Sequence, residues 1–102
     1  MNDQLMKQMF IMNEIMRITL LVNNLSEYDV FINYYGHVNE MEFTVYENGW
    51  HNDEVPTKRF NVKFDSNDGG FSMLSTIINY LQYLYMKIDI TDLMKEGAES
   101  FV

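Results

Sequence analysis

Glu40-Met41-Glu42-Phe43-Thr44-Val45-Tyr46-Glu47 alternates polar and apolar side chains through eight positions. That two-residue period belongs to a β-strand with one face in a core and one in water. The stretch predicts a strand over Glu40–Glu47, and its surroundings extend the pattern. Upstream, Tyr28–Tyr35 is rich in β-branched and aromatic residues and reads as a preceding strand. The link Gly36-His37-Val38-Asn39 has hairpin length, with Gly36 available for a positive φ. Downstream, Asn48-Gly49 marks a turn, a longer link runs to Pro56, and Thr57–Asp65 reads as a third strand. Alternation assigns the faces. Val30, Ile32, Met41, Phe43, Val45, Phe60, Val62 and Phe64 point to a core. Asp29, Phe31, Asn33, Glu40, Glu42, Thr44, Tyr46, Arg59, Asn61 and Lys63 point away from it.

On both sides of this meander the period changes to helical. From Leu5 to Leu25, the residues Leu5, Met9, Met12, Met16 and Leu20 form one stripe. Ile11, Ile15, Ile18 and Val22 widen it, while Lys7, Glu14 and Arg17 share a narrow opposite sector. So broad an apolar surface predicts contact with the sheet and with a second subunit. After Asp65-Ser66-Asn67-Asp68-Gly69-Gly70, a loop in which Asp68 is the expected N-cap, a helix is predicted from Phe71 to Ile88. Leu74, Ile77, Ile78, Leu81, Leu84, Tyr85 and Ile88 form its core side. The rest of its circumference, through Met86, carries Ser, Thr, Asn, Gln and Tyr but no charge, and so also suggests a contact surface. A short C-terminal helix is expected from Asp89 or Thr91 to before Gly97. The reading is a single α+β domain over residues 1–102, ordered α-β-β-β-α, with a three-stranded antiparallel meander packed by helices.

Composition removes whole classes of function. The 102 residues contain no cysteine, which excludes disulfide frameworks, thiolate metal sites and Cys nucleophiles. The apolar runs are interrupted or short, so neither a signal peptide nor a membrane span is expected, and a cytoplasmic location is. The element order is shared with double-stranded RNA-binding domains. Those domains hold phosphates with basic groups at the start of the last helix, where this chain has Asp65-Ser66-Asn67-Asp68. Direct nucleic-acid binding is therefore not expected. The same loop fails as an EF-hand, because position 5 is Gly69 and position 12 is Thr76. His37 and His51 fall in separate turns, and a zinc site from His51, Asp53 and Glu54 would need three near-adjacent ligands. No nucleophile elbow, glycine loop before a lysine or HExxH occurs. Neither an enzyme, a metal nor a cofactor is expected. For Glu40 and Glu42, cross-strand pairing with Arg59 and Lys63 is the simplest role.

The remaining signal is charge. Asp plus Glu number 15 against 7 Lys plus Arg, a formal net charge of −8. Between Glu27 and Asp68 lie Glu27, Asp29, Glu40, Glu42, Glu47, Asp53, Glu54, Asp65 and Asp68, opposed only by Lys58, Arg59 and Lys63. Such a surface either aids solubility or meets a basic cleft, where it would take the place of phosphates. Its length, its charge, the absence of a catalytic motif and the acidic hairpin from Glu40 to Trp50 resemble one class. These are small acidic proteins of phages and mobile elements in Gram-positive bacteria, among them anti-CRISPR proteins that inhibit type II RNA-guided nucleases. The resemblance implies a protein partner with a basic DNA channel, blocked by charge imitation. Glu40, Glu42, Glu47, Asp53 and Glu54 are the expected electrostatic contacts, with Tyr46 and Trp50 as apolar anchors. The alternative is a non-catalytic phage structural or regulatory homodimer joined through Leu5–Leu25 or Phe71–Met86.

Overall fold

The computed structural model describes residues 2–50 and 55–100, the stretch 89–100 as backbone. Its elements are α1 (Asp3–Leu25), β1 (Asp29–Tyr35), β2 (Glu40–Tyr46), β3 (Lys58–Lys63) and α2 (Phe71–Ser100). The strands form one antiparallel sheet in the order β1-β2-β3, with both helices on one of its faces.

Local chemistry explains where each element begins and ends. The Asn2 side chain accepts from the Leu5 amide at 2.6 Å and so caps α1, satisfying one of the helix's free donors. Ser26 closes α1, its hydroxyl donating to the Val22 carbonyl and accepting from the Tyr28 amide. Between β1 and β2 the positive φ falls on Asn39, at 51°, and Gly36 does not carry it. Asn tolerates this region, and its side chain is held there by Tyr34 and Asp65. Gly49 takes φ 83° in the turn after β2, as the Asn48-Gly49 pair predicts. Before α2, the Asp68 carboxylate accepts from the amides of Gly70 and Ser72 and from the Ser66 hydroxyl. These bonds hold its carboxyl below the usual range.

The core lies between the helices and the sheet. Ile15, Ile18 and Val22 come from α1, and Leu74, Ile77, Leu81, Leu84 and Ile88 come from α2. Val30, Met41, Phe43, Val45, Val62 and Phe64 close it from below, as alternation predicts. Each fully buried aliphatic side chain contributes about 1.5–3 kcal/mol before entropy is counted. Gln8 joins this layer, its amide donating to the carbonyls of Phe64 and Gly69 and tying α1 to the loop before α2.

One expectation about the helices is corrected. The residues after Ile88 form no separate helix, because α2 continues unbroken to Ser100. Asp89, Thr91 and Asp92 are weak helix formers, but each costs well under 1 kcal/mol there, and no proline interrupts the run. On α1, the buried sector is the β-branched flank, while Leu5, Met9, Met16 and Leu20 are about half exposed. The helix lies beside α2 and over β1, so one sector of its circumference meets the core and the adjoining stripe faces outward.

Candidate interaction face

The outer face of the sheet is read in rows across the strands. Phe31, Thr44 and Arg59 form one row; Asn33, Glu42 and Asn61 the next; Tyr35, Glu40 and Lys63 the third. Asp29 stands opposite Tyr46 at the end. Of the two expected cross-strand pairings, Lys63 does stand opposite Glu40, but Glu42 faces Asn61 and Arg59 faces Thr44. The strand period sets this, since three alternate residues must meet three alternate residues. Neither Glu40 nor Glu42 forms an ion pair among the described residues.

The face is more aromatic than the charge count suggests. Phe31 and Tyr46 pack edge to face across the strands, with centroids 5.6 Å apart. Trp50 follows the Gly49 turn, half exposed, and its amide donates to the Asp29 carboxylate at 2.7 Å. Together with Asn33, Glu42, Thr44 and Arg59, these rings line an open cleft of about 320 Å³. Thr44 at the bottom is buried.

Of the expected contact residues, Glu40, Glu42, Tyr46 and Trp50 are thus brought to one side of the molecule. Asp53 and Glu54 lie outside the described residues, as does His51. Glu47 departs from the group. Its carboxylate turns toward α2 and stands 4.0 Å from the Lys87 ammonium. Tyr80 is close by, and burial, then the Glu47 carboxylate, push its phenol far above its ordinary value. On the strands themselves, Asp29, Glu40 and Glu42 are offset by Arg59 and Lys63, so the outer face is close to balanced. Arg59 and Phe31 line the cleft although neither is among the expected contact residues. Alternation alone places both on this face.

Among the described residues, no three His, Asp or Glu side chains converge to hold a metal ion, and no helix is long and apolar enough to cross a membrane. No family model, curated protein or solved structure matches the chain.

Proposed function

We propose that this protein is a non-catalytic inhibitor of the anti-CRISPR type, which sets the outer face of its sheet against a type II RNA-guided nuclease and blocks DNA engagement. The observation that carries the reading is the cleft on that face. It combines exposed aromatic side chains, which anchor protein interfaces, with the carboxylate of Glu42, unpaired among the described residues, and with Glu40 nearby. The net charge of −8 favours approach to a basic channel and disfavours direct binding to phosphates. Because Arg59 and Lys63 share the face, the contact is better described as aromatic anchorage steered by carboxylates than as a copied row of phosphates. Reversing Glu40 and Glu42 to Lys tests it, since both lie on the sheet's outer surface away from the core. Glu47 is left intact, because a lysine there would face Lys87 and disturb the fold. A folded Glu40→Lys/Glu42→Lys variant is expected to lose inhibition. Full inhibition by that variant would remove this face from the account.

The exposed stripe of α1 favours a second reading, a structural or regulatory homodimer. Self-association through α1 would leave the outer face of the sheet open and is compatible with inhibition.

A further inference from the structure

One side wall of the molecule is unfinished in both of its layers. In the helix layer, Leu5, Met9, Met16 and Leu20 of α1 stand about half exposed, and no charged side chain interrupts them. Lys7, Glu14 and Arg17 occupy the opposite sector, where Glu14 and Arg17 pair with each other. In the sheet layer, β1 is an edge strand. Its odd-numbered residues bond to β2, so the amides and carbonyls of Val30, Ile32 and Tyr34 point outward. Val30 is satisfied by Asn23, whose side-chain amide bonds both its N–H and its C=O in place of a neighbouring strand. Ile32 and Tyr34 have no such substitute among the described residues. Nothing along the edge carries the lysine, proline or bulge that commonly blunts one. Leu5, Met9 and Met12 line a groove with Ile32 and Tyr34, which places the stripe and the open edge on the same side.

The spacing of the four half-exposed residues of the stripe is its own mirror, while Met12 between them is partly buried against the core. Leu5 to Met9 is four residues, Met9 to Met16 is seven, and Met16 to Leu20 is four. Reversing the helix about a point between Met12 and Asn13 lays Leu5 on Leu20 and Met9 on Met16. A two-fold interface requires this self-complementarity, and a foreign partner does not. Size agrees. From Leu5 to Leu20 the stripe runs about 22 Å at 1.5 Å per residue. With the molecule's short dimension of 17 Å, the wall presents roughly 400 Å² in projection per protomer. Two such walls come to roughly 750 Å² in projection, and interdigitation of the side chains raises this toward the ~1,000 Å² lower bound for a specific interface.

We infer that a second copy of this chain covers the wall, with α1 packed antiparallel on α1 across a two-fold axis between Met12 and Asn13. Leu5 then meets the partner's Leu20, and Met9 meets the partner's Met16. The two β1 edges come together beneath the helices. The inference stands on α1 and β1 and is independent of the inhibitor reading, whose face is the other side of the sheet.

Sedimentation equilibrium of the full chain is expected to give twice the 12.2 kDa protomer mass across a micromolar concentration series. Met9→Glu/Met16→Glu, at exposed positions, is expected to weaken self-association at least tenfold with an unchanged circular dichroism spectrum. The native chain has no cysteine, so Met9→Cys/Met16→Cys provides a clean second variant. A short bismaleimide should join it into a covalent dimer, and should fail to join Phe10→Cys, which is exposed on another sector of α1. If the glutamate variant does not fold, the cysteine variants decide. A monomer at every concentration would overturn the inference. So would undiminished association of a folded glutamate variant, or cross-linking through Phe10→Cys as efficient as through the Met9/Met16 pair. A monomer that co-sediments with lipid vesicles would assign the stripe to a membrane surface instead.

Discussion

Tyr80 stands on the inner side of the sheet–helix layer, packed on Phe60 and Tyr83, with a buried phenolic oxygen that lies beside the Glu47 carboxylate but completes no hydrogen bond of proper geometry among the described residues. An unsatisfied buried hydroxyl is a cost, so its removal at constant shape is neutral or favourable. Tyr80→Phe should leave the unfolding free energy unchanged or raise it by up to about 1 kcal/mol, measured by chemical denaturation. A loss of more than about 1 kcal/mol would mean that the hydroxyl has a partner. Asp68 gives the opposite case. Its carboxylate is stabilised by backbone amides, so its folded-state value lies below the unfolded one. The resulting stability is present above the ordinary aspartate pKa of about 3.9 and is lost as pH falls through the folded value. Asp68→Ala should therefore be less stable than the native chain at pH 7, and the two melting curves should converge in strong acid. A difference that persisted at low pH would contradict the charged cap. This role is readable in the sequence, because an Asp before a helical run has one common use. The roles of Gln8 and Asn23 are not, since each bonds backbone brought near only by tertiary folding.

At the scale of elements, the meander is legible from alternation alone, down to the residues that face the core. The helices are legible as elements but not in how they seat. Periodicity shows that α1 is apolar over a wide sector, and both the buried flank and the exposed stripe fit that pattern. Which one faces inward is decided by α2 lying alongside, information that no local window contains. The same limit hides the continuity of α2, where weak formers after Ile88 look like a boundary but are carried by the helix already begun. The start of α2 depends on one backbone position. Gly70 has φ 79°, and a Cβ there would stand 2.7 Å from Val62 Cγ1 and 3.3 Å from the Lys63 carbonyl oxygen. Gly70→Ala combines an unfavourable backbone region with a clash against a buried strand residue, and should destabilise by about 2 kcal/mol or more. A loss under about 0.5 kcal/mol in thermal or denaturant unfolding would show that the turn can relax.

As a whole the molecule is thin and long, 55 × 35 × 17 Å, with a radius of gyration of 16.0 Å. A compact chain of this length has about 13 Å. Two layers and an extended α2 give it much surface for its mass. Counting charges along the sequence places nine carboxylates between Glu27 and Asp68 as one block. Folding disperses them: Glu47 turns to Lys87, Asp68 caps α2, Asp65 holds Asn39, and Arg59 and Lys63 enter the face with Glu40 and Glu42. What the count alone cannot reveal is that aromatic side chains share the remaining face. The central claim is that this face occupies a nuclease's DNA channel. The most direct measurement adds the protein to a guide-loaded type II nuclease either before or after target DNA, and records cleavage and complex formation. The account predicts inhibition when the protein comes first, little when DNA comes first, and none from the folded Glu40→Lys/Glu42→Lys variant. Inhibition independent of order, undiminished inhibition by that variant, or no binding to the nuclease would contradict it.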